Sequence, residues 1–213
     1  MEEGKKYLVI YEKWISKRDL DPVLKKELES IKDNEDEIEE RFYQTIEFGT
    51  AGLRGILGAG TNRMNIYTVR RAAQGFAQAI NMNGRKDNSV VLAFDSRRMS
   101  EEFSKESAKI FASNGIKVYL FREVTPTPVL SYAVRSLQCS GGVMITASHN
   151  PKNYNGYKVY WDDGAQVTEE KANLIINEVN NVNNYLDLQT KSFDEYLEDG
   201  KIKIIYNEVY EKY

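Results

Sequence analysis

Apolar residues recur at helical spacing through the first 45 positions, then give way to short apolar runs separated by amphipathic stretches. Leu8, Tyr11 and Ile15, followed by Val23, Leu24, Leu28 and Ile31, sit amid dense charge, which predicts helices over 5–17, 22–32 and 35–43. Asp21-Pro22 and Asp33-Asn34 supply caps and stops between them. The expectation is a helical N-terminal extension over 1–45 with solvated charged faces. From position 50 strand and helix alternate. Strands are predicted over 89–94, 117–121, 141–145 and 157–161. Helices are predicted over 66–83 (closed by Gly84), 100–114 (capped by Ser100, ended by Gly115), 127–137 (Pro128 in its first turn) and 168–182 (opened by Thr168, with Glu169 and Glu170 in its first turn). Elements of this length in this order predict an α/β fold of three layers, α/β/α, with helices on both faces of a largely parallel mixed sheet. That domain is expected over 46–190, with the Asn-rich stretch 177–184 as a linker. Residues 191–213, helical over 193–198 and strand-like over 201–205, are expected to begin a following domain.

Composition narrows the class. A chain of 213 residues with 41% hydrophobic and 29% charged residues has the make-up of an ordinary soluble globule with one sizeable core. A net charge of -3 argues against a nucleic-acid partner, so an anionic ligand would have to be met by local arginines and lysines. The single cysteine, Cys139, excludes an internal disulfide, and the acidic start lacks a signal-peptide core; together these predict a cytoplasmic protein. No apolar run approaches the length of a membrane span.

The chemistry concentrates in residues 146–160, Thr-Ala-Ser-His-Asn-Pro-Lys-Asn-Tyr-Asn-Gly-Tyr-Lys-Val-Tyr. A hydroxyl at Ser148, an imidazole at His149 and an amine at Lys158 share one loop, with Asn150-Pro151 and Asn155-Gly156 as turn initiators, between two apolar strands. Strand ends in α/β sheets aim such loops at crevices. A second candidate is Arg54 in Gly52-Leu53-Arg54-Gly55, where the glycines let a phosphate approach the backbone and a guanidinium can grip it with two prongs. Thr50 could add a hydroxyl. Arg97, at a strand end after Asp95, reads equally well as a second cation near the serine or as a structural partner of Asp95. Arg63 reads as part of a polar turn, and Asp162-Asp163-Gly164 as another turn.

The serine segment resembles the active-site loop of the α-D-phosphohexomutases, the phosphoglucomutase and phosphomannomutase superfamily, whose pattern is Thr-Ala-Ser-His-Asn-Pro followed by Asn-Gly and a lysine. Phe48-Gly49-Thr50-Ala51-Gly52-Leu53-Arg54-Gly55, running on to Gly58-Ala59-Gly60-Thr61-Asn62-Arg63-Met64-Asn65, is similar to that family's N-terminal arginine loop, most of all in its phosphoglucomutase/phosphopentomutase branch. Phe94-Asp95-Ser96-Arg97 and Thr125-Pro126-Thr127-Pro128 fit as well, so the likeness covers 46–161.

The resemblance implies a mutase that interconverts sugar 1-phosphate and sugar 6-phosphate, or 5-phosphate, through a phosphoserine and a bisphosphate intermediate. Ser148 would carry the phosphoryl group, because a serine hydroxyl is a weak nucleophile at neutral pH and the carried phosphate sidesteps that. His149 would bond a phosphate oxygen or orient a hydroxyl, Lys158 would assist proton transfer, and Arg54 would complete the catalytic set. Thr50, Arg54, Arg97, Asn150 and Lys158 would contact the phosphosugar. The implied cofactors are Mg²⁺, bound to Ser148 through its phosphate, and glucose 1,6-bisphosphate or an equivalent activator. The family's metal loop, sugar-reading loop and distal phosphate loop do not occur in this sequence. Mg²⁺ wants an octahedron of oxygens, so the expectation is a first domain, inactive alone, whose remaining metal ligands and partners are other domains. The alternative from a different class is a non-catalytic sugar-phosphate-binding or regulatory module. A serine hydrolase is disfavoured because no Gly-x-Ser-x-Gly elbow surrounds Ser148.

Overall fold

The structure is a computed structural model that describes residues 5–50, 52–83 and 85–213. Three helices, α1 (Lys6–Ile15), α2 (Pro22–Ser30) and α3 (Glu35–Phe42), form the extension. Strands β1 (Phe48–Gly49) and β2 (Gly52–Ile56) follow, then α4 (Ile66–Met82), β3 (Ser89–Phe94), α5 (Ser100–Ser113), β4 (Lys117–Phe121), α6 (Thr127–Ser136), β5 (Gly141–Ile145), β6 (Tyr154–Trp161), α7 (Glu169–Asn181), α8 (Phe193–Glu198), β7 (Ile202–Ile205) and α9 (Asn207–Tyr210).

All seven strands belong to one sheet, in the order β1-β2-β6-β5-β3-β4-β7. It is mixed, and divided: β5, β3, β4 and β7 run parallel, while β6, β2 and β1 add on antiparallel. Alternation along β3 makes the three layers. Val90, Leu92 and Phe94 face the α4, α5 and α7 side, and Val91 and Ala93 face α6 and α9. A third cluster, Tyr7, Tyr11, Trp14, Leu28, Ile38 and Phe42, joins the extension to Ala59 and Tyr67 of the main domain and to Leu186. Trp14 is 1% exposed and meets the rings of Phe42 and Tyr67 edge-on at 5.7 and 5.5 Å.

Several expectations are corrected. Residues 191–213 belong to the same sheet: Val118 to Phe121 of β4 pair in parallel with Ile202 to Ile205, and Tyr196, Ile202, Ile205 and Val209 are buried in its two cores. The Asn-rich stretch is largely the end of α7 rather than a linker, and Asn180 accepts a bond from Arg71 at 3.0 Å. Ser100 does not cap α5; left-handed Met99 precedes the helix, and the buried Ser100 hydroxyl donates to Asp95 at 2.8 Å. β6 begins three residues earlier than its apolar run, because β2 pairs with Tyr154, Asn155 and Gly156. Arg63 is buried and paired with Glu40 of α3. The expected closure of α4 by Gly84 lies outside the described residues.

Candidate active site

The serine loop leaves β5 at the carboxyl end of the parallel strands, where the loop after β3 also emerges. Ser148 is exposed and has φ 53, one of three non-glycine residues with positive φ among those described; another, Met99, lies in the loop after β3. A left-handed serine costs on the order of 1–3 kcal/mol, so its surroundings must hold it. Part of that hold is local: the Thr146 hydroxyl accepts from the Ser148 amide at 3.0 Å, and the Ala147 carbonyl accepts from the Asn150 amide at 3.0 Å.

β6 brings the amine. Lys158 lies in an interior strand, between β5 and β2, and its Nζ donates to Ser148 Oγ at 3.0 Å. Burial, and secondarily the Arg54 guanidinium, hold this ammonium below the ordinary lysine value, with Asp95 opposing them. β2 brings the guanidinium. Arg54 sits opposite Gly156, two residues before Lys158, so both cations rise from the same face of the sheet. Arg54 Nη1 donates to Asn150 Oδ1 at 2.9 Å, which ties the arginine strand to the serine loop. Two close approaches fix this geometry. Gly52, at φ +93, would put a Cβ 2.0 Å from the Tyr157 carbonyl oxygen, and Gly156 would put one 2.5 Å from that of Thr146.

Ser148, Lys158, Arg54 and Asn150 are therefore gathered at one place. Arg97 approaches from behind the loop: Nη1 donates to the carbonyls of Pro151 and Tyr154 at 3.0 and 3.1 Å, and Nη2 to those of Ser148 and Asn150 at 2.7 and 2.7 Å. His149 is exposed and makes no hydrogen bond among the described residues; Thr50, in the turn joining β1 to β2, is also exposed and unbonded. Asp162 and Asp163 follow β6 at the end away from the serine, where Asp163 accepts from the Ala165 amide at 2.8 Å.

Sequence reasoning missed the support beneath the loop. Asp95 accepts from the Arg97 amide and the Ser100 hydroxyl at 2.9 and 2.8 Å; Asn155, fully buried, donates to Ser100 and to the Arg98 carbonyl, both at 2.9 Å. Asn155-Gly156 reads as a turn, and only the pairing with β2 shows it to be strand. Among the described residues no group of three His, Cys, Asp or Glu side chains could hold a metal ion. The donors present do not by themselves fit Mg²⁺.

A serine loop so mounted, at the carboxyl end of the sheet of an α/β/α domain, defines a class. Residues 45–186 match the family described as phosphoglucomutase/phosphomannomutase, alpha/beta/alpha domain I. The chain belongs to the phosphoglucomutase/phosphomannomutase family. It is 44% identical over 179 residues to a phosphoglucomutase of Staphylococcus saprophyticus, covering 84% of this chain and 32% of that protein. It is also 44% identical over 142 residues to a phosphopentomutase of Homo sapiens, covering 63% of this chain and 23% of that one. Among solved structures it resembles a putative phosphomannomutase of Thermus thermophilus, with TM-score 0.59, 34% identity, and coverage of 64% and 30% of the two chains. The chain spans about a third or less of the length of these relatives.

Proposed function

We propose that this chain is the serine-bearing domain of a phosphosugar mutase that interconverts a sugar 1-phosphate with its 6-phosphate or 5-phosphate. The contact between Lys158 Nζ and Ser148 Oγ, 3.0 Å long, carries the reading. Ser148 holds the phosphoryl group at rest. A hydroxyl of the bound sugar monophosphate attacks phosphorus as the bond from phosphorus to Ser148 Oγ breaks, giving a sugar bisphosphate and a free serine. Ser148 gains the proton the sugar hydroxyl loses, with Lys158 giving Oγ its proton and being reprotonated in turn; a depressed lysine pKa eases that exchange. After the bisphosphate turns over, its other phosphate returns to Ser148.

Arg54 and Asn150 grip the phosphosugar, with Arg54 lowering the charge that builds during transfer; Thr50 adds a hydroxyl and His149 an imidazole beside the reacting oxygen. Glucose 1,6-bisphosphate or an equivalent loads the serine. Mg²⁺ belongs to the proposal only for a longer protein, where the Ser148 phosphate offers one oxygen and further carboxylates come from other domains. No helix of the described residues is long and apolar enough to cross a membrane, and a cytoplasmic location rests on the single, buried Cys139.

The test is intact mass after exposure to glucose 1,6-bisphosphate and Mg²⁺, with the segments the relatives carry beyond this match also supplied. Wild type should gain one phosphoryl group and Ser148→Ala none. Saturable phosphosugar binding without any gain would instead support a non-catalytic binding module.

A further inference from the structure

We infer that Arg97 is a positioning residue: its guanidinium clamps the backbone of the serine loop and holds Ser148 in its left-handed conformation, instead of gripping the phosphosugar. The inference deepens the mutase reading, on which its kinetic arm rests. A guanidinium has five N–H donors and no acceptor. Here four bonds run to the carbonyls of Ser148, Asn150, Pro151 and Tyr154. The remaining donor, on Nε, looks toward Asp95 Oδ2 at 3.6 Å. Both terminal nitrogens are fully spent on the loop, so they cannot give a phosphate a two-pronged grip without releasing it.

The four acceptors span the whole loop, from the serine to the first residue of β6. Asp95 secures the clamp's base, since its other oxygen accepts from the Arg97 amide at 2.9 Å and its own amide donates to the Ile145 carbonyl at 3.1 Å. The clamp is thus anchored to the ends of β3 and β5, the strands that deliver the loop. A lysine at position 97 keeps the charge but, with three donors on a single nitrogen, cannot serve four carbonyls.

Amide hydrogen exchange on this chain tests the clamp without any reference to catalysis. In Arg97→Lys the amides of Ser148, Asn150 and Tyr154 should exchange about tenfold faster or more, while those of Val91 and Val143 in the central strands keep wild-type rates. Asp95→Asn, which leaves the arginine in place but loosens its base, should give a smaller change at the same amides. Unaltered loop exchange in Arg97→Lys overturns the inference; so does loss of cooperative folding in both variants, which would make the pair a determinant of the fold. In a mutase of the relatives' length, Arg97→Lys should lower kcat by about 10²-fold with KM within about twofold, because misplacing a reacting group costs transition-state geometry. A raised KM with kcat unchanged would show that Arg97 touches substrate and overturn the positioning role. If wild type has no mutase activity, the mutase reading falls while the exchange result still decides the clamp.

Discussion

Lys158 holds its ammonium nitrogen 3.0 Å from the hydroxyl oxygen of Ser148, across ten residues of chain that leave β5 and return as β6. Two strands fix the distance: Met144 pairs with Lys158, and the loop departs from the next residue of β5.

The charge on Lys158 should be unusually easy to remove. Burial first, and Arg54 second, disfavour its protonated form relative to the ordinary value of 10.5. The native chain therefore binds fewer protons than the unfolded one between the lowered midpoint and 10.5, so this residue's contribution to stability rises with pH through that window. Carbon NMR of the Lys158 side chain should give a midpoint below 10.5, shifted part of the way back up in Arg54→Gln because burial, the larger cause, remains. A midpoint at or above 10.5 in wild type would remove the electrostatic argument.

Arg54 and Arg63 lie nine residues apart in the same sequence block and should fail in opposite ways. Arg54 is exposed, and Arg54→Ala should leave stability within about 0.5 kcal/mol while weakening phosphosugar binding. Arg63 is buried against Glu40 of the extension and donates to the Asn62 carbonyl at 3.3 Å. Arg63→Ala should cost about 1–3 kcal/mol in urea unfolding with binding retained by the folded fraction. The same loss of binding in both, at equal stability, would refute the division.

The extension should unfold together with the sheet. Trp14 fills the seam between them, and Trp14→Ala should cost about 3–5 kcal/mol. The other tryptophan, Trp161, packs beside Phe76 in the main core at 6.1 Å. Single-tryptophan variants keeping Trp14 or Trp161 should report one coincident urea transition. Separate midpoints would mean that the helices are a loosely attached appendage.

Most of the fold is legible in the sequence because period and punctuation agree. β3, β4, β5 and α8 match their predicted bounds, and α4 and α6 run one residue short of theirs. β1 and β2 are not legible: Phe48–Gly49 is two residues long, and Gly52–Ile56 carries two glycines and an arginine among its five residues, so neither offers an apolar run. The tail misled for the opposite reason. Residues 201–205 read as strand-like, but the parallel pairing of Ile202–Ile205 with β4 is a nonlocal fact that no local pattern carries. At the site, Ser148, Lys158 and Arg54 stand out by residue type and glycine context. The roles of Asp95, Ser100 and Asn155 depend on bonds between three separate elements, and the four carbonyls that occupy Arg97 leave no trace in side-chain identity.

Ser148 is proposed to pass a phosphoryl group to a sugar hydroxyl with Lys158 at its oxygen. The direct measurement is a single turnover: protein of the relatives' length, phosphorylated on Ser148, is mixed with glucose 1-phosphate and Mg²⁺, quenched at intervals and weighed intact. The predicted result is loss of one phosphoryl group matched by an equal amount of sugar bisphosphate, with Lys158→Met slowing the step by roughly 10²–10⁴-fold without moving the phosphorylation site. Release of the group only as inorganic phosphate, or a phosphoryl group mapped to a residue other than Ser148, would contradict it.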